Sequence, residues 1–315
     1  MLTTNASSKI FSKASTAELV GHTRKVHCLS WNPKGGLLGS GGVDCVARIW
    51  DVEKLQQKAE LEGHTSSIEQ LKWDPTANVF FVSASLDHKV LFWDLRARNS
   101  EPVASVETQG ENINLAWSQD GVYCAVGDKD DNLSFIDVRK FDFFERFQFA
   151  EEVNEFKWSP SGPFFFMTLG KEVLVFRWPT MEQQLRLQVH ADRCYCLEFD
   201  RSGRYFALGG ADSIISLWET EYMLCTWTVD RLEYPIRTIS FSHDGQFIAA
   251  GSEDSVIDIS DILNGRQTYA LGVKGATNVV AWHPSRHLLA YATEEEYSRD
   301  GVAIHLYGTI SKDNI

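Results

Sequence analysis

An aromatic side chain returns through this sequence at an almost constant interval. The series is Trp31, Trp73, Trp117, Trp158, Phe199, Phe241 and Trp282, with gaps of 42, 44, 41, 41, 42 and 41. Each member closes a short apolar run and precedes a turn. Val26-His-Cys-Leu-Ser-Trp31 leads into Asn-Pro-Lys-Gly, and Val153-Asn-Glu-Phe-Lys-Trp158 leads into Ser-Pro-Ser-Gly. Between aromatics, strand-like runs alternate with Gly, Pro, Asn and Asp clusters, and no segment holds a helical period. In repeat two the runs fall at 67–73, 79–85 and 89–94, with a fourth near 102–107. A four-stranded repeat cannot bury both of its faces alone, so each copy needs neighbours and the ring must close. Seven copies at this period predict an all-β chain folded as a seven-bladed β-propeller.

The ends of the chain suggest how closure occurs. The run 302–307 matches a third strand with no fourth after it. Residues 15–20, ahead of repeat one, sit where a fourth strand sits in later repeats. They are expected to complete the last blade. The expected organisation is a disordered lead over 1–13, a single propeller over 14–308 and a short tail over 309–315.

Composition narrows the function. With 315 residues a chain can bury roughly 75% of its unfolded surface, so the core needs no disulfides. The six cysteines include no Cys-x-x-Cys pair and read as reduced apolar fillers. No run approaches the ~18 apolar residues of a membrane span, and no signal core opens the sequence. The formal net charge is −13, with no long basic run, which opposes direct high-affinity nucleic acid binding and favours protein partners. No phosphate loop, cofactor motif or metal cluster is evident, so no cofactor and no enzymatic activity are expected.

Recurring polar residues then specify the repeat. Gly21-His22 runs to Trp50-Asp51, and Gly63-His64 runs to Trp93-Asp94. These marks resemble WD40 repeats, and the resemblance implies buried hydrogen-bonded sets: His22, Ser40, Asp44 and Trp50, then His64, Ser83, Asp87 and Trp93. Repeat five keeps His190, Asp212 and Trp218 but carries Leu208 where serine is expected. Repeats three and six keep Asp130 and Asp254, with Ile136 and Ser260 in place of Trp. A Ser–His–Asp set also raises a hydrolase reading. Recurrence with Trp at the repeat period, and the lack of a Gly-x-Ser-x-Gly elbow, favour a structural role.

The degraded repeats are more specific. Gly110-Glu-Asn-Ile-Asn-Leu-Ala-Trp117, Ala125-Val-Gly-Asp-Lys-Asp-Asp131 and Pro235-Ile-Arg-Thr-Ile-Ser-Phe-Ser-His-Asp-Gly245 resemble the WD40 propellers of THO complexes. That resemblance implies a non-enzymatic scaffold in a nuclear assembly coupling transcription to messenger RNA export. Its partners would be large helical THO subunits, with ribonucleoprotein and export factors reached indirectly and no membrane involved. A second reading comes from Trp93-Asp94-Leu95-Arg96, which resembles substrate receptors of cullin-type ubiquitin ligases, with Arg96 facing an adaptor.

Three surfaces are candidates for binding. In WD40 propellers the residue four before the first-strand aromatic lies near the channel mouth; here these are His27, Glu69, Ile113, Asn154, Tyr195, Arg237 and Asn278. Tyr195 and Arg237 lead, because aromatic and Arg side chains are common binding anchors. Phe141, Phe143, Phe147 and Phe149 alternate along the outer strand of repeat three, which leaves Phe144 exposed on the other face. The acidic insertion 294–300 is the third.

Overall fold

The computed structural model describes residues 11–12, 14–97, 100–294 and 302–309. They form twenty-eight strands in seven four-stranded antiparallel sheets. Blade two shows the pattern: Ile68–Trp73 lines the centre, followed outward by Phe80–Ser85, Lys89–Asp94 and Ala104–Glu107. No helix among the described residues is long and apolar enough to cross a membrane.

The periodic aromatics explain why sheets stack into a ring. Buried apolar side chains gather into clusters at the seams between neighbouring blades. Leu71, Trp73, Phe81, Leu91 and Trp93 of blade two pack with Cys28, Ala47 and Ile49 of blade one. Trp31, Trp73 and Trp117 also donate their indole N–H groups across a seam. The acceptors are the carbonyls of Ala281, Ser30 and Lys72, at 3.0, 2.9 and 3.1 Å. Blades five and six carry Phe199 and Phe241 at this position and so rely on packing alone there. In the turn after the aromatic of blade one, Gly35 has a φ of +78° and lies so close to the His283 ring that a Cβ would sit 2.3 Å from it.

Closure occurs as expected from the sequence. Ser15–His22 pairs antiparallel with Val302–Gly308, with Thr16 opposite Tyr307 and Leu19 opposite Ile304. Leu19 is buried against Trp50, Leu306 and their neighbours at the seam between blades seven and one. The lead contributes more than the sequence suggests. Phe11 is 2% exposed, with its ring 5.1 Å from that of Phe247, and the Tyr307 hydroxyl donates to the Phe11 carbonyl at 2.5 Å. The remainder of the expected lead (1–10 and 13), the tail beyond 309 and residues 295–300 of the acidic insertion lie outside the described residues.

The cysteines are all free, but not all are core fillers: Cys225 is exposed and Cys45 half-buried. The phenylalanine series of blade three also departs from its expected alternation. A β-bulge puts Phe143 opposite Ile136 and Glu145 opposite Phe135, which leaves Phe144 as the extra residue. The bulge reverses the facing of the strand. Phe143 therefore packs toward blade two, whereas Phe147 and Phe149 pack toward blade four. Phe141 falls in the preceding turn at a φ of +53° and is 37% exposed.

Candidate functional site

The polar sets of blades one and two form continuous chains. Trp50 Nε1 donates to Ser40 Oγ at 2.8 Å, the Ser40 hydroxyl donates to His22 Nε2 at 2.7 Å, and His22 Nδ1 donates to Asp44 at 2.9 Å. Asp44 also accepts the Thr23 backbone N–H at 3.1 Å. Blade two repeats this with Trp93, Ser83, His64 and Asp87 at 2.8, 2.8 and 2.9 Å. Burial alone would raise the Asp87 pKa, but the His64 hydrogen bond and the Thr65 backbone N–H outweigh it and pull the value down to about 2. Asp44 is lowered for the same reasons. The order Ser–His–Asp is that of a hydrolase, yet Ser40 and Ser83 are 0% exposed and each hydroxyl already holds an indole N–H. No substrate can reach either oxygen.

Blade five corrects the sequence reading. Its network is complete, because Ser216 supplies the hydroxyl from the third strand. His190 Nε2 and Trp218 Nε1 each lie 2.8 Å from Ser216 Oγ, and His190 Nδ1 lies 2.9 Å from Asp212. The register shows why this works. Ser83 faces Leu91 across the ladder in blade two, and Leu208 faces Ser216 in blade five. Serine and leucine have exchanged strands at one ladder position and stay on the same face.

Blade six fills that position differently. Asp258, facing Ala250, takes a two-pronged pair from Arg231 at 2.9 and 3.0 Å and a bond from Gln267 at 2.7 Å. Ser260, at the Trp position, hydrogen-bonds both Arg231 and Asp258. Arg231 carries no repeat signal, since it precedes the histidine position by one and has no counterpart in intact repeats.

The channel-mouth residues share one local geometry. His27, Glu69, Ile113, Asn154, Tyr195 and Asn278 each occupy a register shift between the first and second strands of their blade. Arg237 sits just before the equivalent strand, with its N–H bonded to the Gly251 carbonyl at 3.0 Å. A bulge frees one side chain from the alternation and turns it toward the rim. The resulting ring is half-exposed except at Arg237, which is exposed. Its members pair locally: His27 lies 3.7 Å from Glu69, and the Arg237 guanidinium lies 4.8 Å from the Tyr195 ring centre and 3.2 Å from Glu253. Below the rim, a cavity of about 270 Å³ is bordered by Lys72, Glu155, Lys157 and Glu198. Burial lowers the Lys72 pKa and raises that of Glu155. Burial also opposes the Lys157 charge, but Glu198 at 2.8 Å and Glu155 outweigh it and raise its pKa. Two lysines and two glutamates leave this channel electrically balanced.

Phe144 and Arg96 lie apart from the rim. Phe144 is 45% exposed, with its ring 5.1 and 5.8 Å from those of Tyr123 and Trp178 on the outer edge. Arg96 folds back as a fork onto Asp94 at 2.6–3.1 Å. Arg139 makes the same fork on Asp137, after Ile136 rather than Trp, so the motif reads as a turn clamp.

Seven blades, a ring closed by the N-terminal strand and His–Asp–Ser–Trp networks in blades one, two and five together define a WD40 β-propeller. The family described as the THOC3 beta-propeller domain matches residues 22–292. The chain is 42% identical to THO complex subunit 3 of Arabidopsis thaliana, over 95% of this chain and 96% of that protein. It is 33% identical to the WD repeat-containing protein AAC3 of Dictyostelium discoideum, over 96% of this chain and 68% of that one. The chain belongs to the THO complex subunit 3 β-propeller family. The Cps50 (Swd1) propeller of Myceliophteria thermophila superposes with a TM-score of 0.82 at 19% identity, covering 94% of this chain and 100% of that one; at that distance it supports the fold alone.

Proposed function

We propose that the chain is a non-enzymatic scaffold subunit of a nuclear THO-type complex that couples transcription to messenger RNA processing and export. The observation that carries this reading is the 42% identity to THO complex subunit 3, which extends over 95% of the chain. The large helical subunits of the complex are its direct partners, and ribonucleoprotein and export factors are reached through them. The chain does not itself hold RNA tightly. Its net charge is −13, and rim cations such as Arg237, Lys129 and Arg193 are already paired with Glu253, Glu111 and Glu152. The partner surface is the bulged rim, with Tyr195 stacked on Arg237 as its anchor.

Affinity purification from cells tests both levels. THO subunits should be recovered in stoichiometric amount. The double substitution Tyr195→Ala and Arg237→Ala should weaken that association by about tenfold or more while leaving the melting curve unchanged. Loss with Phe144→Asp instead would move the contact to the outer edge. Absence of THO subunits from the wild-type purification would refute the scaffold reading.

A further inference from the structure

The face opposite the rim carries the turns between first and second strands. Two neighbouring turns there bring together ligating groups that the sequence reading did not connect. His243 and Asp244 lie in the turn of blade six. His287 lies in the turn of blade seven, 43 positions after Asp244 and so one repeat further on. One ring nitrogen of each histidine and a carboxylate oxygen of Asp244 lie within 4.8 Å of one another. We propose that His243, Asp244 and His287 form a binding site for a divalent transition cation, with zinc as the best fit, bridging blades six and seven.

The donor chemistry and the surroundings both support the assignment. Two imidazoles and one carboxylate suit zinc and its borderline neighbours rather than magnesium or calcium, which prefer oxygen sets. The groups are held from behind. Asp244 Oδ1 accepts the Ser242 hydroxyl at 2.7 Å and the Gln246 backbone N–H at 3.2 Å, which leaves Oδ2 turned to His287 Nε2 at 2.8 Å. Partners of this kind fix the orientation of a ligand before the ion arrives. The His287 ring stands edge-on against Phe247, Phe11 and Trp282, with centroids 5.5, 6.4 and 6.4 Å away. These rings form an apolar wall on one side of the site. His243 Nδ1 is buried and makes no hydrogen bond among the described residues.

Bonds of about 2.0–2.1 Å in a tetrahedral site place ligand atoms roughly 3.3 Å apart. The present spread of up to 4.8 Å must close by about 1.5 Å for the three atoms to share one ion. Three protein ligands leave one position to water. The Arg201 guanidinium, fixed on the Pro284 carbonyl at 3.0 Å, adds a nearby positive charge. Both features set the expected affinity in the micromolar range rather than the nanomolar range of closed four-ligand sites.

Titration calorimetry of the full chain with zinc chloride, in a non-chelating buffer at pH 7.5, tests the site. One ion per chain is expected, with a dissociation constant of about 1–10 μM. His287→Ala and Asp244→Asn should each weaken binding by about tenfold or more. His88→Ala, on the opposite face, and Cys225→Ser, which removes the exposed thiol, should leave it unchanged. Melting curves taken with chelator present establish that the variants are folded. The proposal is overturned if the wild-type chain shows no single site tighter than about 100 μM. It is overturned equally if folded His287→Ala binds zinc as the wild type does.

Discussion

Ser216 offers the sharpest test of how the degraded blades stay folded. Replacing it with Ala removes one oxygen that serves two buried groups, the Trp218 indole N–H and His190 Nε2, each at 2.8 Å. His190 is 6% and Trp218 8% exposed, so water cannot easily replace the hydroxyl. Each polar group left without its partner costs about 1–3 kcal/mol, and the two share one oxygen, so the expected loss is about 2–4 kcal/mol. The control uses the ladder itself. Leu208→Ser combined with Ser216→Leu restores the arrangement seen at Ser83 and Leu91 and conserves volume. Denaturant unfolding and amide exchange in blade five should show Ser216→Ala and Ser216→Leu destabilised, with the double exchange recovering most of the loss. An unchanged midpoint for Ser216→Ala would refute the network. A double exchange no better than Ser216→Leu would refute the claim that the ladder position, and not the strand, determines function.

Trp50→Ala and Trp93→Ala each empty a buried site and break a network, and each should cost about 3–5 kcal/mol by denaturant unfolding; native-like midpoints would count against the tetrads. Phe11→Ala should cost about 3 kcal/mol, read as a lowered melting temperature, since that ring fills the seam beside Phe247 and Trp282. Asp87 gives a pH signature. Its folded pKa of about 2 lies below the ordinary 3.8, so its contribution is full above about pH 4 and is lost as the pH falls toward 2. In this window wild type should lose on the order of 2 kcal/mol more than Asp87→Asn; parallel pH profiles would show that the carboxylate is not held this way.

The ring, its seven blades and its clasp were legible because they follow from period and alternation, which survive the loss of individual residues. What could not be read from a single repeat was substitution across a ladder. Leu208 reads as a broken network until the register puts Ser216 opposite it. Bulges hid in the same way, because one inserted residue reverses the facing of everything beyond it; Phe143 and Phe147 part company for that reason. At the rim the effect worked in favour of the sequence, since the bulge recurs in six of the seven blades and a fixed offset from the aromatic finds it. Arg231 and Phe11 lay beyond any pattern, as each belongs to one place in the ring and repeats nowhere.

The pairing of Thr16 with Tyr307 has a consequence for how the molecule is made. The first strand of the ring to be translated is partnered by the ring's last, and translation runs at about 5–20 residues per second. For tens of seconds the nascent propeller is therefore an open arc with a loose strand at one end and no blade yet to receive it. Each blade can settle against the one before it, since those contacts are local. The closing strand must wait, and two chains waiting side by side on one messenger could each close the other's ring, giving an exchanged dimer from an otherwise correct sequence.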